Sequence, residues 1–364
     1  MPDRSRPNSP DPWQVSPEEF PSSASGRDKL LFLLNYAVLA PSILNSQPWQ
    51  FELSHHAIAL HVNPSRRLAI VDPDGRQSII SCGSALFNLR VAARAFGYEI
   101  DVSGPPRKSG PTLIVKLQLK PLATPPSQLD LELRDAIPRR RTVRSAFEDK
   151  PLGDELLRDL ADAARKEGAE CHFAQAPEQK RQVAELVAEA EQVHLRDPAF
   201  RNELRDWLMQ RRGEGHHAMR EIYARMGSPT GHTPEGRDHP DLFTPTAAAA
   251  ARQFANIEGA AAGQRALVEA SPAVALLTTA DDTTASWLAA GQALQHMLLK
   301  ATIAGVSASY LNPPIEIARL RPRLAQAFGT RGKPQVLLRL GHGRAISPTP
   351  RRPMSEVLRC PTHQ

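Results

Sequence analysis

The sequence is poor in cysteine and has no cysteine pair at metal-binding spacing. Its three cysteines, Cys82, Cys171 and Cys360, are odd in number and lack a C-x-x-C pair, which argues against a disulfide framework and against a zinc cluster. The adjacent His55 and His56 would point to opposite faces of a strand, so they do not suggest a metal site either. We therefore predict no metal and a reducing, cytoplasmic environment.

Long hydrophobic runs and aromatic side chains are also scarce. No apolar run of about 18 residues and no charged-then-apolar leader occurs, so we expect neither a membrane span nor a signal peptide. Aromatic residues make up only 5% of the chain and are not interleaved with its basic residues. The net charge of +6 then favours a phosphorylated small molecule over nucleic acid, with a basic nucleic-acid-binding protein kept as an alternative.

The chain does contain enough apolar sequence, 41% of 364 residues, to fill a sizeable core. Residues 1–26 are rich in proline, serine and charge and are predicted to form a disordered lead-in. A helix is expected at Asp28–Leu39, and a longer helix is expected between an N-cap at Asp74 and Gly97. Strands are predicted at Trp49–Leu53, Ile58–Val62, Tyr98–Val102 and Leu113–Leu119.

Seven positions of the longer helix recur 208 residues later, in the same order and at the same spacing. The first set is Asp74, Ser78, Gly83, Ala85, Leu86, Ala93 and Gly97, and the second is Asp282, Ser286, Gly291, Ala293, Leu294, Ala301 and Gly305. The second helix also leads into a short strand and then a core strand. This pattern predicts an internal duplication: two α+β halves, 27–125 and 126–364, packed about a pseudo-twofold axis like a symmetric dimer fused into one chain.

The residues between the repeated parts differ in composition. Ala176–Leu195 and Asp197–Gln210 are polar helical runs, and Arg211–Phe243 follows with many glycines, prolines and histidines. We predict an insertion at about 176–245 that is either a lid or an exposed surface excursion.

The loop from Ala40 to Phe51 carries the first chemical signal. Pro41 and Pro48 stiffen it, and its short polar side chains can reach a ligand. These side chains belong to Ser42, Asn45, Ser46 and Gln47. A rigid polar loop beside a core suits a planar polar ligand.

An arginine-rich stretch, 139–147, carries the second signal. In an extended segment Arg140, Thr142 and Arg144 share one face, and two guanidiniums with a hydroxyl between them bind phosphate oxygens well. A second basic pair, Arg351 and Arg352, follows the last core strand and could reach the same anion.

The combination of Ala-Pro-Ser-x-x-Asn-x-Gln-Pro-Trp (40–49) with Arg-x-Thr-x-Arg (140–144) resembles the flavin-dependent nitroreductase family, and the duplication resembles its Acg-type branch. In ordinary members one chain carries both motifs, and each FMN lies at a homodimer interface between the arginine motif of one subunit and the polar loop of the other. Here the first half has only the loop and the second half only the arginine motif. The resemblance therefore implies one composite FMN site per chain, in a monomeric pseudo-dimer.

The resemblance also implies roles for individual residues. Arg140 and Thr142, with Arg141 beside them, would hold the FMN phosphate and ribityl chain, and Arg144 would lie near the N1–C2=O2 edge, where a cation favours the reduced flavin. From the other half, Pro41, Ser42, Asn45 and Gln47 would reach the ribityl or pyrimidine edge. The strand end Ser309, Tyr310, Leu311 and Asn312 would pass along the flavin, and Arg351 and Arg352 would contact the phosphate.

The activity that this resemblance implies is NAD(P)H-dependent reduction of nitroaromatic or quinone-like acceptors by a ping-pong flavin mechanism. An alternative of another class is a protein that binds and sequesters FMN with little turnover, because an insertion folded over the ring would exclude nicotinamide. The two alternatives are distinguished by whether NADPH bleaches the bound flavin.

Overall fold

The structure, a computed structural model, describes residues 11–104, 112–210 and 256–359, without the side chains of 208–210. The helices are α1 (Gly26–Ala37), α2 (Arg76–Ala95), α3 (Gln128–Ala136), α4 (Asp154–Lys166), α5 (Pro177–Arg196), α6 (Pro198–Gln210), α7 (Ile257–Glu269), α8 (Thr284–Ile303), α9 (Pro313–Glu316), α10 (Arg321–Ala327) and α11 (Met354–Val357). The strands are β1 (Trp49–Leu53), β2 (Ala57–Val62), β3 (Tyr98–Ser103), β4 (Leu113–Pro121), β5 (Glu170–Ala174), β6 (Ala273–Thr279), β7 (Ser307–Tyr310), β8 (Lys333–Gly341) and β9 (Leu358–Arg359). This α+β composition confirms the predicted fold class.

Two sheets of the same design contain these strands. The first has the order β3-β4-β2-β1-β9 and the second the order β5-β6-β8-β7. When β5 to β8 are matched with β1 to β4 in chain order, every pairing corresponds, and all of these pairings are antiparallel. The extra strand β9 pairs in parallel with β1. This correspondence is what the predicted internal duplication requires.

The long helices α2 and α8, 20 residues each, pack against one another between the sheets. They meet at Gly83 and Gly291, where a Cβ on Gly83 would lie 2.3 Å from the carbonyl oxygen of Leu288, and a Cβ on Gly291 would lie 2.0 Å from that of Ile80. Gly83 faces Leu288, and Gly291 faces Ile80, the residue 208 positions before Leu288. The contact is therefore symmetric, as in an isologous dimer interface. Only glycine permits backbones this close, which explains both repeated glycines.

The strand sequences explain why the second sheet is the more deeply buried. In β1 the apolar Trp49, Phe51 and Leu53 alternate with half-buried polar residues, so one face points into the core. In contrast, β6 is apolar or small throughout and is buried at every position. Its two faces contribute to different cores, one against α8 and the other against α5 and α7.

The predicted disordered lead-in is wrong for residues 11–26. Two short 3₁₀ helices, Pro12–Gln14 and Pro17–Glu19, lead into α1. Two aromatic residues anchor them. Phe20 stacks on Phe96, with 4.3 Å between ring centroids, and the indole of Trp13 donates a hydrogen bond to Thr349 O at 2.9 Å. The proline-rich composition of the segment gave no indication of these contacts. Residues 1–10 lie outside the described part of the chain.

The predicted N-cap Asp74, and Asp282 at the equivalent position of the repeat, each lie one residue before the observed N-cap. Helix α2 follows Gly75, whose φ is +74°, and the capping carboxylate is that of Asp72, which accepts N–H groups from Gln77 and Ser78 at 2.8 and 2.9 Å. Helix α8 is capped by Thr283 rather than Asp282. In both cases the polar cluster before the helix offered several competing caps.

The two halves exchange segments, so the boundary at 125/126 does not separate two self-contained cores. Helix α3 packs on α2, with Leu133 and Ile137 in the first core, and Met354 and Val357 near the C-terminus lie in that core as well. The chain after β8 therefore returns to the first half, where β9 pairs with β1.

The insertion contains two packed helices over the range 177–210. Helix α5 buries Val183, Val187 and other apolar residues against the second sheet, so it is not a surface excursion. Helix α6 packs beside the loop that follows α1. The remainder of the predicted insertion, 211–245, lies outside the described residues. Within the described part of the chain, no helix is long and apolar enough to cross a bilayer, and no group of three metal-binding side chains occurs.

Candidate functional site

A cleft opens between the two halves, where the loop after α1, helix α2 and the ends of β7 and β8 meet. It measures about 850 Å³, including space open to solvent. Its walls are formed by Pro41, Ser42, Ile43, Leu44, Gln77, Ile80, Ser81, Ser84, Arg144, Gln264, Leu267, Leu294, Ser309, Tyr310, Asn312, Pro313, Glu316, Val336 and Arg339. We call this space the main cleft.

A second cavity of about 550 Å³ adjoins the main cleft and shares Pro41, Ser42, Arg144 and Tyr310 with it. Its remaining walls are Trp13, Asn45, Arg140, Arg141, Thr142, Ile346, Ser347, Thr349 and Arg351. We call it the basic cavity. Because the two spaces share walls, they form one elongated site with a basic end.

The loop 42–47, which forms one wall of both spaces, has an unusual backbone. Leu44, Asn45 and Gln47 have φ values of +44°, +52° and +48°, in the left-handed region that non-glycine residues seldom occupy. The Gln47 N–H donates to Ser42 Oγ at 2.9 Å and closes the loop on itself. Such strain persists only where surrounding contacts hold it, and it concentrates at functional sites.

The C-terminal segment supplies some of these contacts. Arg351 donates from Nε to Val38 O at 2.8 Å and from its terminal nitrogens to Leu39 O and Ala40 O at 3.0 and 3.2 Å, so it caps the end of α1. Asn45 Nδ2 donates to Pro350 O at 3.0 Å. The loop and the C-terminal segment are thus fixed to each other beside the basic cavity.

The arginine motif reaches the basic cavity from the second half. Thr142 forms a parallel β-bridge with Ala308, and the N–H of Val143 donates to Ala308 O at 3.0 Å, which attaches the motif to β7. Arg140 is only 5% exposed, and its nearest side-chain partner is Thr142 Oγ1 at 3.4 Å from a terminal nitrogen. Its Nε is buried without a hydrogen-bond partner among the described residues.

The basic cavity concentrates positive charge without a compensating carboxylate. Arg140, Arg141 and Arg351 form no ion pair with an acidic side chain in the described ranges. Burial, followed by the charges of Arg140 and Arg141, lowers the pKa of Arg351 to about 9. The ring of Trp13 lies beside two of these cations, 4.8 Å from Arg141 and 5.1 Å from Arg351. Like charges held together in this way favour an anion with several oxygens, such as phosphate.

The main cleft contains two further guanidiniums. Arg144, predicted from the sequence, is accompanied by Arg339, which the sequence reasoning missed. Arg339 donates to the carbonyl oxygens of Ser145 and Arg144 and lies 4.5 Å from the ring centroid of Phe147. Burial lowers its pKa to about 10, with a smaller effect from Arg144. An arginine within the apolar strand Val336–Leu340 was the signal that could have revealed it.

Most of the predicted site residues lie at the walls of these two spaces. They are Pro41, Ser42, Asn45, Arg140, Arg141, Thr142, Arg144, Ser309, Tyr310, Asn312 and Arg351. Three others do not. The Gln47 side chain accepts the N–H of Arg352 at 2.8 Å, Arg352 donates to Gln47 O and to Glu356, and Leu311 packs in the core behind the strand. Gln47 and Arg352 therefore hold the loop and the C-terminal segment together through side chain to backbone hydrogen bonds, and Leu311 contributes to the core behind the strand.

Comparisons with known proteins show what the chain is similar to. The sequence model of the Nitroreductase family matches residues 137–342. The chain is 31% identical over 334 residues to "Putative NAD(P)H nitroreductase Rv3131" of Mycobacterium tuberculosis, an alignment that covers 90% of each protein. It is 27% identical over 346 residues to "Putative NAD(P)H nitroreductase acg" of the same organism, which covers 93% of this chain and 97% of that relative.

Solved structures of similar proteins include the FMN-dependent nitroreductase NfnB from Mycobacterium smegmatis in complex with NADPH. It is 17% identical, with a TM-score of 0.39, covering 65% of this chain and all of that one. A nitroreductase with bound FMN from Bacteroides fragilis is 13% identical, with a TM-score of 0.34, covering 58% and 89%. The family assignment rests on the sequence matches rather than on these low scores. The chain belongs to the nitroreductase family of oxidoreductases, in its Acg-type branch.

Proposed function

We propose that the chain binds one FMN across the junction of its halves and acts as an NAD(P)H-dependent reductase of flat, electron-poor acceptors such as nitroaromatics and quinones. The observation that carries this proposal is the basic cavity: the buried Arg140 and the half-buried Arg141 and Arg351, without carboxylate partners in the described residues, lie beside an adjoining cleft of about 850 Å³ that includes space open to solvent. The names of the relatives, which include NAD(P)H nitroreductases, support the same reaction class.

The residues present fit the phosphate end of FMN. Arg140 has a buried Nε that lacks a partner among the described atoms, and a phosphate oxygen would supply one. Arg141 and Thr142 line the same cavity, as does Ser42 from the opposite half. Arg351 already uses its donors on carbonyl oxygens of the loop, so its contribution is to position that loop and to add positive charge.

The main cleft fits the ring end of the cofactor. Ser309 and Asn312 at the end of β7 and the side chains of Gln77 and Ser81 on α2 provide polar groups beside apolar walls. Asn312 is itself fixed, because its Nδ2 donates to Gln77 Oε1 at 3.1 Å and its Oδ1 accepts the Leu337 N–H at 3.0 Å. A mostly apolar cleft with a few oriented polar groups is typical of cofactor sites.

The positive charge in the main cleft is suited to reduction. A bound FMN would supply two-electron chemistry between a nicotinamide and the acceptor. Arg144 and Arg339, which line this cleft, would stabilise negative charge that develops on a ligand bound there, because fixed charges in a partly dehydrated cleft do so efficiently. The chain's own role is therefore to bind, orient and polarise.

A second candidate function, FMN binding with little turnover, is favoured by one observation. Gln264 and Leu267 on α7, which follows the insertion, form part of the main cleft wall and narrow the space beside the ring site. If this wall prevents nicotinamide from stacking on the flavin, the chain would bind FMN but NAD(P)H would not reduce it.

Anaerobic mixing of the FMN-loaded protein with NADPH or NADH distinguishes the two candidates. A reductase should lose its visible flavin absorbance within seconds and regain it when a nitroaromatic or quinone is added. Retention of the absorbance over many minutes, with FMN still bound, would exclude the reductase and favour the holding function.

A further inference from the structure

The contact between helix α6 and the loop 42–47 is not explained by the site itself. Three side chains on one face of α6, Phe200, Leu204 and Trp207, are buried at i, i+4 and i+7. They pack in a separate apolar cluster with Leu44 of the loop. The opposite face of α6, including Arg205, is exposed.

Polar contacts fix α6 in this position. The indole N–H of Trp207 donates to Leu44 O at 3.3 Å. The Glu203 carboxylate accepts the N–H groups of Ile70 and Val71 at 2.8 and 3.0 Å, and Val71 is a member of the same apolar cluster. The helix is therefore attached both to the loop and to the segment beside it.

Leu44 connects this contact with the site. It lines the main cleft, its φ of +44° is the least expected of the three positive values because leucine is bulky, and its carbonyl is the atom that Trp207 binds. A residue in such a conformation stays there only when its surroundings favour it over relaxed alternatives.

We propose that helix α6 of the insertion is a positioning element for the flavin site, with Trp207 as its principal positioning residue. It holds Leu44, and through it the loop 42–47, in the strained conformation that presents Ser42 and Pro41 to the ligand. The inference rests on the proposed FMN site. It gives the insertion a second function, because α6 supports the loop 42–47 in addition to any function of the insertion as a lid.

The test compares Trp207→Phe with Trp287→Phe in the full chain. Phenylalanine keeps most of the packing of Trp207 and removes the indole N–H. The control removes a shorter indole hydrogen bond elsewhere, since Trp287 donates to the Asp282 carboxylate at 2.6 Å and neither residue lines the main cleft. FMN dissociation constants are measured by fluorescence titration, and unfolding of the apo-proteins is measured by denaturant.

Trp207→Phe should raise the FMN dissociation constant about fivefold, the effect of one lost hydrogen bond, whereas Trp287→Phe should leave it unchanged. Unfolding of the apo-protein should be no more affected by Trp207→Phe than by the control, because release of loop strain offsets the lost bond. Glu203→Gln, which weakens the second attachment, should shift the dissociation constant in the same direction.

Unchanged FMN affinity in both α6 variants would overturn the inference. So would a loss of apo-protein stability in Trp207→Phe large enough to account for weaker binding, because that would indicate a purely structural role. Failure of the wild-type protein to bind FMN would instead reject the proposed function, so the two failures are distinguishable.

Discussion

The substitution Arg140→Ala tests the assignment of the basic cavity to the FMN phosphate. Arg140 is almost fully buried, has no carboxylate partner in the described ranges, and its pKa is lowered, first by burial and further by the nearby Arg141 and Arg144. In the apo-protein it is an unfavourable buried charge. With phosphate bound, the same charge would be paired.

The expected magnitude follows from this pairing. A hydrogen bond to a charged group contributes about 1.5–3 kcal/mol, and each ~1.4 kcal/mol is a factor of ten in affinity. Arg140→Ala should therefore weaken FMN binding about 10- to 150-fold. The apo-protein should not lose stability in proportion, because the substitution also removes an uncompensated buried cation.

The assay is FMN titration of apo-protein followed by fluorescence, with Arg139→Ala as the matched control. Arg139 is the preceding residue, carries the same charge and is exposed, with its Nε donating to Asp135 O at 3.0 Å. The control should bind FMN like the wild type. An Arg140→Ala dissociation constant within twofold of the wild-type value would show that the phosphate lies elsewhere.

Three further predictions concern the same architecture. Burial lowers the pKa of Arg351 and so makes its cation unfavourable in the apo-protein. Inorganic phosphate, which would pair with the cations of the basic cavity, should therefore raise the melting temperature, and an unchanged melting temperature at millimolar phosphate would contradict this. Gly291→Ala, whose Cβ would meet the Ile80 carbonyl oxygen, should destabilise the protein by about 1–3 kcal/mol in denaturant unfolding, whereas Gly153→Ala, with open space around it, should have little effect. Trp13→Ala should weaken FMN binding about threefold to tenfold through loss of its two cation–π contacts, and equal affinity would show that the N-terminal segment does not shape the basic cavity.

Much of the fold follows from local pattern in the sequence. The matching positions of α2 and α8 predicted two equivalent helices, and β1 to β4 were predicted close to their observed bounds, whereas the close contact of the repeated glycines is seen only in the structure. The polar loop and the arginine motif could be assigned to one site only through the resemblance to a family, because nothing local specifies which distant segments meet.

Other features could not be predicted because they depend on tertiary contacts. The proline-rich N-terminal segment has the composition of a disordered tail, but Trp13 and Phe20 order it by contacting residues distant in sequence, Thr349 and Phe96. Gln47 and Arg352 look like ligand-binding residues, but they satisfy each other. Arg339 lies within a strand that is otherwise apolar, so the sequence alone did not assign it to the cleft. The left-handed backbone conformation occurs at Leu44, where no glycine indicates it.

The central claim is that each chain has one composite FMN site, built from the loop of the first half and the arginine motif of the second. Equilibrium dialysis of the purified apo-protein against FMN, with bound flavin and protein quantified separately, tests it most directly. We expect saturation at one FMN per chain. Saturation at two would mean that the second half retains a site of its own, and the absence of saturable binding would contradict the flavin site altogether.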